Sequence, residues 1–158
     1  MITIRQFLLA GLLLTACNAV HASPAFEGYF RVNGKDTALA HLIVRAGKPF
    51  GGSPTTILVF TEKDASTDTD PAWHAPDGKW GTALVVTLSK RGDQYQVIGS
   101  EFADPGLKRT GASSLGLVDA SEIVVASGTI SGQLATTPDA RLFGDAIDIQ
   151  LRFSAPSP

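Results

Sequence analysis

From Ala146 to Phe153 the chain alternates without a break. Ile147, Ile149, Leu151 and Phe153 are apolar, while Asp148, Gln150 and Arg152 are polar. A period of two belongs to a β-strand with one face on a core and the other in water. On a helix the same pattern would spread its apolar groups around the whole cylinder. The rest of the chain therefore has to supply sheet partners for this strand.

Such partners can be read along the sequence. Phe26–Val32 alternates and runs into Asn33-Gly34, a pair that tolerates the positive φ angles of a two-residue hairpin turn. With that turn Val32 faces Lys35, Arg31 faces Asp36 and Phe30 faces Thr37. If the ladder continues, Gly28 meets Leu39 and Phe26 meets His41. Arg31 opposite Asp36 is an opposite-charge pair that favours this register. Thr55–Thr61 is short, apolar and β-branched. Thr82–Ser89 and Gln94–Phe102 flank Lys90-Arg91-Gly92-Asp93 and form a second hairpin. The inward phase of the second strand slips at Ile98-Gly99, where a bulge fits. Ser121–Ser127 and Gly128–Ala135 read as one long glycine-bent strand or two short ones.

No amphipathic helix stands out after the N-terminal segment. The fold class is all-β: an antiparallel β-sandwich or small β-barrel, a single domain over 26–154, with 155–158 as a frayed tail. Three long loops cover 46–54, 62–81 and 104–115.

The N-terminus reads as an export signal. Arg5 precedes the apolar run Phe7–Leu14, which is too short for a permanent membrane span. Leu14-Thr15-Ala16-Cys17 has the form of a lipobox, which makes 1–16 the signal peptide, Cys17 the lipidated residue and 17–25 a tether. Cys17 is the only cysteine of the chain, which favours this reading. The alternative is cleavage after Val20-His21-Ala22, with 1–22 removed. Either way the protein is expected in the periplasm, and in the first case lipid-anchored to the outer membrane.

Composition narrows the chemistry. There are 13 basic and 15 acidic residues, and loss of Arg5 leaves 12 − 15 = −3. Mild acidity argues against a nucleic-acid partner. With Cys17 alone, no intramolecular disulfide forms. His41 and His74 are too few for the usual zinc sites, and no cofactor is expected. His41 reads as a packed or rim residue. The chain contains no G-x-S-x-G or S-x-x-K motif. Gly28 to Asp36 mimics a phosphate loop, but its spacing is one residue too long and Asp36 stands where Mg²⁺ needs a hydroxyl. Arg91-Gly92-Asp93 reads as turn residues rather than an adhesion motif.

The most unusual segment runs from Asp64 to Trp80. Asp64, Asp68, Asp70 and Asp77 offer oxygen ligands for calcium, but in no EF-hand spacing, so a solvated acidic loop is the favoured reading. Trp73 and Trp80 suggest two roles, capping one end of the fold or stacking on a sugar ring.

Gly28, the run Val32-Asn33-Gly34-Lys35, Leu39, Ile130, Gly132, Leu134, Thr136, Phe143-Gly144-Asp145 and Phe153 resemble a group of small exported bacterial β-domain proteins and lipoproteins of unassigned function. The resemblance implies a compact β-domain and brings no catalytic residues.

The expected function is a non-enzymatic binding module of the cell envelope, of inhibitor or immunity type, acting on another protein. Trp73, His74, Trp80, Lys108 and Arg109 are the candidate contacts. The alternative is a peptidoglycan- or glycan-binding, or glycan-cleaving, protein that uses Trp73 and Trp80.

Overall fold

The computed structural model describes residues 25–158, so Cys17, the signal and most of the tether lie outside the described residues. The chain forms β1 (Phe26–Val32), β2 (Lys35–Asp36), β3 (His41–Ala46) and β4 (Thr55–Thr61), then a single helical turn α1 (Pro71–His74). There follow β5 (Ala83–Arg91), β6 (Gln94–Ala103), β7 (Ala112–Ser114), β8 (Val118–Ala126), β9 (Thr129–Thr136), β10 (Arg141–Leu142) and β11 (Asp145–Pro156). Two antiparallel sheets pack face to face as an all-β sandwich. One has the order β2-β1-β11-β9-β8, with β10 also paired to β11. The other has the order β3-β4-β5-β6-β7.

β11 contains the alternating run Ala146–Phe153. Its burial alternates over the full twelve residues, and Ile147, Ile149, Leu151 and Phe153 all enter the core. Across the sandwich they meet Leu58, Phe60, Leu84, Val86, Leu88 and Phe102. Phe60 stands edge-on to both Phe26 and Phe153, the arrangement that aromatic quadrupoles favour.

The first hairpin has the expected register, with Arg31 opposite Asp36 and Val32 opposite Lys35. Asn33 and Gly34 both take positive φ. Its ladder is shorter than expected: after Thr37 donates to the Phe30 carbonyl, the chain leaves the sheet. His41 starts β3 in the opposite sheet, paired with Thr61, so Phe26 does not face His41. Phe26 is opposite Phe153 instead. The crossing lets Leu42 and Val44 reach the same core from the other side.

The bulge falls where the phase slip put it. Thr87 pairs with Gly99 and Leu88 with Val97, which leaves Ile98 unpaired. Of the two readings of residues 121–135, two strands hold and the single bent strand does not: they pair as a hairpin. Ser127 and Gly128 both adopt positive φ and turn β8 back onto β9. Residues 155 and 156 are not frayed: Ala155 pairs with Ile130 and Pro156 with Thr129. Ala155 is buried, which continues the inward phase of β11.

Candidate functional site

The 62–81 segment lies over the outer face of the second sheet. That face carries its own apolar cluster, in which Val59, Ala83, Val85 and Ala103 pack with Ala75 and Trp80. β4 and β5 are thus covered on both sides, which is why they read as continuous apolar runs rather than as alternation.

Asp68 holds the segment together. Its carboxylate is nearly fully buried and receives the Trp80 indole N–H at 2.9 Å, Lys79 Nζ at 3.1 Å and the Asp70 backbone N–H at 3.1 Å. His74 Nδ1 stands 2.9 Å from Oδ2. Arg45 of β3 donates to the carbonyls of Asp68 and Thr69. Burial alone would raise the pKa of Asp68. The N–H donors of Asp70, Lys79, His74 and Trp80 outweigh it and hold the carboxyl well below the usual aspartate range.

The four aspartates, read as a solvated acidic loop with calcium as the lesser alternative, are spent separately, and Asp68 is buried rather than solvated. Asp64 accepts from Ser66 N–H, Asp68 anchors the loop, and Asp70 caps α1 through Trp73 N–H. Asp77 lies beside the Thr110 and Gly78 loops. Among the described residues no three metal-ligating side chains converge.

The two tryptophans part company. Trp80 is half-buried, with its N–H committed to Asp68, and His74 shares that structural role. Trp73 is 73% exposed, although α1 beneath it is fixed by the Asp70 cap, Pro71 at its start and fully buried Ala75. Leaving this indole in water forgoes on the order of 3 kcal/mol of apolar burial. Beside it a cleft of about 350 Å³ opens on the outer sheet face, with Trp73 and Lys48 in its lining. Glu101 lines it, and both desolvation and the charge of Asp77 raise the pKa of Glu101.

Lys108 and Arg109 belong to a second place, a corner at one end of the sandwich. Buried Asp145 accepts from Lys108 backbone N–H at 2.7 Å and from Asn33 Nδ2 at 3.1 Å. These bonds keep its carboxyl below the usual range. Asn33 also donates to Gly106 O and accepts from Ala146 N–H. One carboxylate and one amide therefore tie together the 33–34 turn, the 104–109 loop and the 143–144 turn.

On that base stands Phe143, which sequence reasoning did not single out as a contact. It is 56% exposed and has φ 52°. A left-handed backbone costs a residue with a side chain about 1–2 kcal/mol, and Asn or Gly is the usual occupant of such a turn. The Arg109 guanidinium lies 5.0 Å from the Phe143 ring centre, and Arg141 donates to Gly144 O. The sequence signal was present: a bulky aromatic directly before Gly144, between two paired strands.

The outer face of the first sheet is left bare. Glu27, Tyr29, Gln133, Gln150 and Arg152 line broad, shallow hollows there, of about 600 and 490 Å³.

The chain shows no match to a protein-family model, to a curated protein or to a solved structure.

Proposed function

We infer that this domain is a non-enzymatic binding module of the cell envelope, tethered through Cys17, that engages another protein through the corner of Lys108, Arg109 and Phe143. An inhibitor or immunity-type role suits it. The observation that carries this reading is Phe143: a large aromatic ring held in water on a strained turn, stacked by a cation and rigidly supported from below. Strain of this kind persists where the surrounding structure enforces it, and it gathers at functional sites. Aromatic residues and arginine are also the side chains that most often anchor protein interfaces. Arg109 and Arg141 stand at the corner beside Phe143 and Gly144, while Lys108 Nζ lies 3.9 Å from Asp145, and the expected partner surface has acidic groups for the two arginines and an apolar pocket for the ring. The carboxylates with lowered pKa support binding rather than turnover, because Asp68 and Asp145 are occupied in holding loops.

The test separates binding from folding. Phe143→Asn relieves about 1–2 kcal/mol of backbone strain and gives up a surface cation–π contact of about 0.5–1 kcal/mol. The variant is thus expected to melt at the same temperature or slightly higher. Its capture of the partner from envelope extract should nonetheless fall at least tenfold, and wild-type capture should weaken with added salt. Undiminished, salt-insensitive capture by Phe143→Asn and by Lys108→Ala/Arg109→Ala would remove the corner from the account.

A further inference from the structure

A second site, distinct from the corner, lies on the outer face of the second sheet. Its chemistry comes from its walls and floor. Trp73 supplies an exposed aromatic face, and Lys48 lines the same cleft. The floor consists of the outward positions of three neighbouring strands: Ile57 of β4, Val85 and Thr87 of β5, and Gly99 of β6. Two carboxylates, Asp70 and Glu101, reach the same space.

The floor is open at one point for a local reason. Gly99 adjoins the bulge at Ile98, and a Cβ built on it would meet nothing within 4 Å. Its backbone is not in the positive-φ region, so the missing side chain is not required by the strand. It leaves open space beside Thr87, its partner on β5.

This set of groups selects among ligands. A phosphate-bearing ligand would meet two carboxylates against one lysine. A purely apolar ligand would strand those three polar groups without partners. A peptide strand would need an unpaired sheet edge, whereas Ile57, Val85 and Thr87 lie on strands paired on both sides, and only Gly99 lies beyond the β7 pairing. A pyranose ring with equatorial hydroxyls fits all of the groups: its C–H face lies on the indole and its rim of hydroxyls meets Asp70, Thr87, Glu101 and Lys48. The cleft, at about 350 Å³, sits at the small end of the range for small-molecule sites.

We propose that the cleft lined by Trp73 and Lys48 binds a β-linked glucopyranosyl saccharide, with one sugar ring stacked on the Trp73 indole over the open space at Gly99.

The experiment titrates the mature protein with chitotriose and with cellotriose, by calorimetry and by tryptophan fluorescence. At least one of the two is expected to bind saturably and to shift the emission of Trp73. Trp73→Ala removes the stacking face, and Gly99→Val fills the open space without asking the backbone for a new conformation. Each should weaken binding about tenfold or more, which corresponds to about 1.4 kcal/mol, while the melting temperature stays near that of the parent. Phe143→Asn should bind the sugar as the parent does, so the two sites fail or stand separately. The proposal is overturned if neither trisaccharide binds, or if binding survives both Trp73→Ala and Gly99→Val.

Discussion

At the scale of single residues, two aspartates show how a side chain's role is decided by what reaches it. Asp68 and Asp145 are ordinary in the sequence, yet both are buried acceptors that several N–H groups converge on. The folded pKa of Asp68 lies below the ordinary value near 4. Its contribution to stability is therefore complete above the unfolded pKa and is lost as pH falls below about 4 toward the lowered folded value. Trp80 reports on this directly, because its N–H is bonded to Asp68. In a Trp73→Phe background, acidification below about pH 4 should shift Trp80 emission to the red. Asp68→Asn should melt lower at neutral pH and lose the acid transition; an unchanged acid transition in that variant would assign it to another group. Sequence spacing offered Asp68 only as a calcium candidate or a solvated acid. Its donors come from positions 70, 74, 79 and 80, and their convergence depends on the loop lying against the sheet.

At the scale of elements, local chemistry was legible wherever a turn or a phase change is written into adjacent residues. Asn33-Gly34 set the first hairpin, Gly92-Asp93 the turn between β5 and β6, and the slip at Ile98 the bulge. Ser127-Gly128 is a turn of the same kind, but the sequence leaves one bent strand and two short strands both open there, because Ser is a weaker signal for positive φ than Asn. Gly28 is a position where an element depends on a missing side chain. It sits inside β1 at φ 112°, and a Cβ there would collide with the carbonyl oxygen of Gln150 in β11. Gly28→Ala should therefore force the two central strands apart and cost roughly 2–5 kcal/mol, from backbone strain and overpacking together. Urea unfolding measures it; a loss below about 0.5 kcal/mol, the range of ordinary surface changes, would mean that β1 shifts without penalty.

At the scale of the whole molecule, the two outer faces of the sandwich have opposite fates. The 62–81 segment covers one and brings Trp73 to the edge of a cleft, and the other stays bare and polar. The corner at Phe143 lies at one end of the sandwich, formed from three segments far apart in sequence. The proposed envelope tether turns on Cys17. Mass spectrometry of the mature N-terminus should find a diacylated Cys17, and a chain that starts at Ser23 would make the protein freely diffusing. By itself the sequence determined the all-β class, the phase of β11, the register of the first hairpin and the place of the bulge. Each of these depends on neighbours within a few residues, through the two-residue strand period and the conformational freedom of turn residues. Only the tertiary structure decided which of two tryptophans is exposed, which aspartates are buried anchors, and that Phe143 stands in solvent beside Arg109. Those outcomes depend on which segments meet across the fold, and burial and hydrogen-bond partners arise only from that meeting.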